Sequence, residues 1–153
     1  MAGLHATVQV TNGAVTTSAK SMLGVKAASN HPILVHEVFG AFDGTDIADT
    51  VSLVEICNCD GSTNWTPGAN NTEVTPVQWG SRFTETIQTK GLSLWSSEPT
   101  VLTVIAPMWI PTLMGSDRIV FDPPIQVAAG KGLVLRVDGA DSVNFTGWIH
   151  FEE

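Results

Sequence analysis

The run SVNFTGWIHFEE at residues 142–153 sets Val143, Phe145, Gly147, Ile149 and Phe151 on one side and Asn144, Thr146, Trp148, His150 and Glu152 on the other. A strict period of two is the signature of an extended strand with one buried face, so this segment requires a sheet to lie in. GLVLRVDG at 132–139 does the same, with Leu133, Leu135 and Val137 opposite Val134, Arg136 and Asp138. Elsewhere, short apolar runs end at turn residues, and helical periodicity is hard to find. LHATVQV (4–10) stops at Thr11-Asn12-Gly13, a hairpin-type signal, and Gly130-Lys131-Gly132 turns the chain again. The expectation is an all-β, single-domain β-sandwich over 1–153 with about eight strands and an extended N-terminal arm at 1–20. A long regular closing strand that completes a sheet favours a jelly roll.

PILVHEVFGAF (32–42) is apolar on both sides. If the strand is regular, Ile33, Val35, Glu37, Phe39 and Ala41 share one face and Leu34, His36, Val38, Gly40 and Phe42 the other. One face then belongs to the core and the other to a second layer or a neighbouring subunit. TVSLVEICN (50–58) follows, with Cys57 and Cys59 pointing the same way. At about 7 Å apart along a strand they are too distant for a disulfide. They are the only two cysteines of 153 residues, and the spacing C-x-C without further soft ligands argues for free, metal-free thiols.

DGSTNWTPGANNTEVTPVQWG (60–80) is rich in Asn, Thr, Gly and Pro and reads as one long polar loop carrying Trp65 and Trp79. Strands are expected again at SRFTETIQT (81–89) and TVLTVIAPMWI (100–110). Pro99, Pro107 and Pro111 push the second of these toward an edge or end near Met108.

Seven Lys plus Arg against fifteen Asp plus Glu give a formal charge of −8, with no basic cluster. Nucleic acid and anionic membranes are therefore poor partners, and no transmembrane span is legible. There is no Gly-x-Ser-x-Gly, phosphate-cradling glycine loop or His-Glu-x-x-His, so no catalytic or cofactor residue is assigned. Asp43, Asp46 and Asp49, Asp60, and Asp138 with Asp141 offer oxygen ligands but read more simply as solvated turn acids. His31 and His36 fall on opposite faces of a regular strand, as do His36 and Glu37. A cupin-like centre built with His150 is not favoured, and no metal ligand is assigned. His5 is not placed near the cysteines by sequence.

AKSMLGVKAASNHPILVHEVFGAFDGT (19–45), the Pro123-Pro124-Ile125-Gln126-Val127 to Gly130 segment and the closing LRVDGADSVNFTGWIHFEE resemble small structural proteins of tailed bacteriophage virions, including trimeric head decoration proteins. The resemblance rests on turns and strands and carries over no ligand or catalytic residues. It implies a non-enzymatic virion subunit, a homotrimer that binds a major capsid or other virion protein and resides in the particle. Independently of the resemblance, Met108, Trp109 and Ile110 beside prolines, together with Trp65 and Trp79, are the candidate partner-binding residues. The competing reading is a carbohydrate-binding sandwich that uses Trp65, Trp79 and Trp95 as platforms for a surface glycan.

Overall fold

The computed structural model describes residues 3–16, 18–43, 50–80, 86–100, 102–113, 115–139 and 142–153. Its centre is the closing strand, β11 (Val143–Glu152), which pairs antiparallel with β1 (His5–Val15) on one side and β3 (Ile33–Phe42) on the other. The short β6 (Val77–Gln78) and the long β9 (Ser116–Val127) complete a five-stranded sheet in the order β6-β1-β11-β3-β9. The facing sheet has six strands. It contains β5 (Thr72–Val74), β7 (Lys90–Ser93), β2 (Lys20–Lys26), β10 (Gly132–Asp138), β4 (Val51–Cys59) and β8 (Leu102–Pro111), in the order β5-β7-β2-β10-β4-β8.

Without the three short strands, β1-β11-β3-β9 faces β2-β10-β4-β8. The chain alternates between sheets except for the step from β4 to β8. That is jelly-roll order, as the closing strand suggested. Phe145, Ile149 and Phe151 from β11 meet Leu133, Leu135 and Val137 from β10 in the buried layer between the sheets. Both clean alternations therefore face the core with the side read from sequence.

Several expectations change. Residues 5–15 are not an arm but an integral strand, hydrogen-bonded on both sides. Thr11-Asn12-Gly13 does not close a hairpin. Asn12, at φ 51°, sits in a bulge where the register against β11 shifts between Val10 and Gly13. A second bulge lies in β3, where Val35 pairs Phe151 and Glu37 pairs His150, leaving His36 as the extra residue. It places Ile33, Val35, Val38, Gly40 and Phe42 inward, leaving Leu34, His36, Glu37 and Phe39 outside. The face assignment made for a regular strand fails at this one inserted residue.

β2 was not anticipated, because KSMLGVK is buried from Ser21 to Val25 and shows no alternation. A register shift at Leu135/Arg136 leaves Met22 as an extra residue, so Met22 and Leu23 both reach the core. The strand expected at 81–89 falls largely on residues 81–85, outside the described ones. Residues 86–89 are not strand, and β7 begins at Lys90.

The 60–80 segment is less loop-like than its composition suggests. It contributes β5 and β6, and it folds Trp65 onto the outer face of the six-stranded sheet. There Trp65 and Trp95 meet edge to face, 5.2 Å between centroids, and bury Leu92, Val134, Cys57 and Cys59 beneath them. Gly132 makes room for this: a methyl on its backbone would lie 2.7 Å from the Trp65 ring. Asn64, at φ 57°, anchors the loop with a main-chain carbonyl that accepts from the Trp95 indole and a side chain that donates to the Glu98 carbonyl.

Candidate functional site

Among the described residues, the two sheets end on the same side in long strands with one unpaired edge each, β8 in one sheet and β9 in the other. The opposite side ends in the two- and three-residue strands β6 and β5. Long edges invite association unless they are covered. Here they carry exposed apolar groups: Val104, Ile105 and Trp109 on β8, and Val120 on β9. Trp109 is 63% exposed and Val120 55%. Opposite Leu53 in the ladder, Trp109 stands on the outer face of its sheet. Ile105 projects from a bulge where Ile56 pairs Ala106 and Cys57 pairs Val104. Just inside the seam, Ala106, Ile119, Phe121 and Ile125 pack on the core but stay partly open to solvent. Prolines at 107, 111, 123 and 124 interrupt the donor pattern of both edges.

The residues proposed from sequence for partner binding divide accordingly. Trp109 and Trp79 are exposed, whereas Trp65, Met108 and Ile110 are buried at 0%, 1% and 0% within the single chain. Met108 and Ile110 alternate with Trp109 and point into the core, so a partner meets only the tryptophan of that trio. Trp65 and Trp95 roof the thiols instead of presenting a flat platform, which removes two of the three rings that a glycan-binding surface would use.

A second constellation lies on the outer face of the five-stranded sheet. His5 on β1 is directly opposite Glu152 on β11, and the β3 bulge turns His36 onto the same face. His36 Nε2 lies 3.0 Å from Glu152 Oε2, and His5 Nε2 lies 4.0 Å from the same oxygen. Glu152 Oε1 accepts from the Gly3 backbone N–H, which fixes the carboxylate with Oε2 turned to the imidazoles. The other nitrogen of His5, Nδ1, is 3.1 Å from His150 Nε2. Trp79 covers His150 in a parallel stack and donates its indole N–H to Thr7 Oγ1 at 2.6 Å.

The electrostatics follow from this crowding. Burial, then the neighbouring His36 and His5, hold the His150 imidazole below its ordinary pKa. Burial would raise the Glu152 carboxyl, but hydrogen bonds from His36 and Gly3 outweigh it and the net direction is down. Three of the four histidines gather here. His31 stands apart, 2.9 Å from Glu153. The sequence reading missed His5 and Glu152. The available signal was parity, since His150 and Glu152 share the polar face of β11.

The remaining candidates are plainer. Cys57 and Cys59 are free and buried, and burial pushes the Cys57 thiol up to about 11. Asp43 accepts from the Asn144 amide and Asp60 from the Ser62 N–H, as turn acids do. Asp46, Asp49 and Asp141 lie outside the described residues. A cleft of about 240 Å³ between Asn58, Gln126 and Lys131 offers amides and one ammonium but no acid–base pair. In comparisons with known proteins, the chain matches no family model, no curated protein and no solved structure.

Proposed function

We propose that the protein is a non-enzymatic structural subunit that self-associates through its β8/β9 side, in its finest form a homotrimeric capsid decoration or other surface protein of a virion. The observation that carries the reading is the pair of long edges, one from each sheet, that are unpaired among the described residues and expose Trp109, Val104, Ile105 and Val120. A single chain leaves Ile119, Phe121 and Ile125 half covered at this seam, and a second copy would complete their burial. Proline interruptions suit a side-chain-mediated contact better than open-ended strand addition, and a closed ring of subunits leaves no free edge to propagate. Jelly rolls serve in capsids but also in lectins and cupins, so the fold supports the reading without specifying it. The formal charge of −8 keeps such a subunit soluble before it meets the shell.

Light scattering of the purified protein is expected to give about three times the subunit mass. Trp109→Asp combined with Val120→Asp should yield a monomer with a nearly unchanged melting temperature. A wild-type protein that stays monomeric at micromolar concentration, alone and with assembled shells, would sink the proposal.

A further inference from the structure

We propose that His5, His36 and Glu152 form a binding site for one divalent transition-metal ion, with His150 orienting His5 and Trp79 walling the site. The inference is independent of any assembly through β8 and β9. It rests on His5, His36 and Glu152 each offering a donor atom within 4.8 Å of the other two, with His36 Nε2 and His5 Nε2 at 3.0 and 4.0 Å from Glu152 Oε2. They come from three adjacent strands of one sheet.

The two imidazole–carboxylate distances are near those of donors on one ion. Two donors bonded to one ion at ~2.1 Å are ~3.0 Å apart at an octahedral angle and ~3.4 Å apart at a tetrahedral one. The His36–Glu152 pair already stands at 3.0 Å. His5 and Glu152, at 4.0 Å, must close by roughly half an ångström to meet the tetrahedral spacing. His5 has the freedom to do so, because it is the more exposed of the two, 39% against 25%.

The surroundings are also those of a metal site. A ligating histidine ordinarily passes its second ring N–H to an acceptor that fixes its tautomer. His150 Nε2, 3.1 Å from His5 Nδ1, is placed to accept it. The His150 ring is held in turn by its stack on Trp79, whose backbone N–H donates to the His5 carbonyl at 2.8 Å. Glu152 is fixed through its other oxygen by Gly3.

Two imidazoles and one carboxylate are borderline donors, suited to Zn²⁺, Co²⁺, Ni²⁺ or Fe²⁺ and poorly matched to Ca²⁺ or Mg²⁺. All three reach up from one sheet face. The solvent side of the ion is thereby left to water or to an incoming ligand, an arrangement found in open rather than closed metal sites. A bound ion would tie β1, β11 and β3 together on the face away from the core.

The test uses the full chain, stripped with chelator and then titrated with ZnCl2 by calorimetry. CoCl2 serves as a spectroscopic probe and MgCl2 as a control. One zinc per chain at micromolar affinity or tighter is expected, with a visible Co²⁺ band and no Mg²⁺ binding. Ni²⁺ should quench tryptophan emission in the native protein but much less in Trp79→Phe. His36→Ala and Glu152→Gln should each weaken zinc at least tenfold. His150→Ala should weaken it by a similar factor while leaving the stoichiometry at one. These side chains lie outside the core, so circular dichroism should show folded variants; if His36→Ala does not fold, Glu152→Gln carries the comparison. Absence of saturable zinc binding, or binding retained within threefold in the folded variants, would overturn the proposal and leave a hydrogen-bonded histidine face.

Discussion

Trp79 reaches across β1 to lie flat on His150, with ring centroids 4.0 Å apart and planes 10° from parallel. The indole follows the two-residue strand β6, so this stack and the bond to Thr7 Oγ1 add to the backbone pairing with β1 that holds the short edge. Trp79 is 51% exposed, so Trp79→Ala is expected to cost only about 1 kcal/mol, the usual worth of an aromatic pair beyond its area. Chemical denaturation should show a small shift in midpoint with an unchanged slope. A loss above about 3 kcal/mol would assign Trp79 to the core instead.

Trp65 should behave in the opposite way. Read from sequence as a loop tryptophan available to a partner, it is fully buried over Cys59, Gly132 and Trp95. Trp65→Ala is expected to cost about 3 to 5 kcal/mol, as large aromatic deletions in a core do. Thermal unfolding of the two tryptophan variants side by side checks the contrast, which fails if Trp65→Ala melts no earlier than Trp79→Ala.

The thiols beneath Trp65 should be inert in the native state. A thiolate is the reactive form, and burial holds Cys57 near 11 and raises Cys59 as well. A chromogenic disulfide reagent at pH 8 should label neither residue quickly, and both within minutes in guanidinium. Rapid native labelling would mean that the Trp65 cover opens readily. Gly132→Ala, which drives a methyl against the Trp65 ring, should accelerate labelling.

Glu153 supplies an acid-sensitive tie. Burial alone would raise its carboxyl, but bonds donated by Thr89 and Gln88, with His31 alongside, bring it below the ordinary value of 4.5. Because the folded pKa is the lower one, the unfolded chain binds more protons in the window between them. Stability from this group is complete above the ordinary value and is lost as pH falls through the folded one. The melting-temperature gap between wild type and Glu153→Gln should be widest at pH 7 and should shrink steadily as pH is lowered below the ordinary value. A gap independent of pH would show that the carboxylate charge contributes nothing.

Legibility from sequence tracked regularity. β11 alternates without interruption and buries the face read from sequence, whereas β10 keeps Leu133, Leu135 and Val137 inward but also buries Val134 under Trp65 and Trp95. The same parity argument placed Cys57 and Cys59 together, because β4 is regular against β10 throughout. It failed at His36, where a bulge inserts one residue and reverses every later face of β3. Bulges at Asn12 and Met22 likewise turned one strand into an expected hairpin and hid another. The histidine face was beyond local reading for a second reason. His5 and His150 are 145 positions apart, and only the order β1-β11-β3 makes them neighbours.

That strand order has a consequence for biosynthesis. β11 is the strand to which both β1 and β3 attach, so the five-stranded sheet lacks its middle until residues 143–152 have left the ribosome. Until then the emerging chain holds β1 and β3 without the strand that joins them. Closure then depends on contacts between opposite ends of the sequence, the arrangement that slows folding most for a given size. Native structure should therefore arise in one late cooperative step once β11 is available, not progressively from β1 onward.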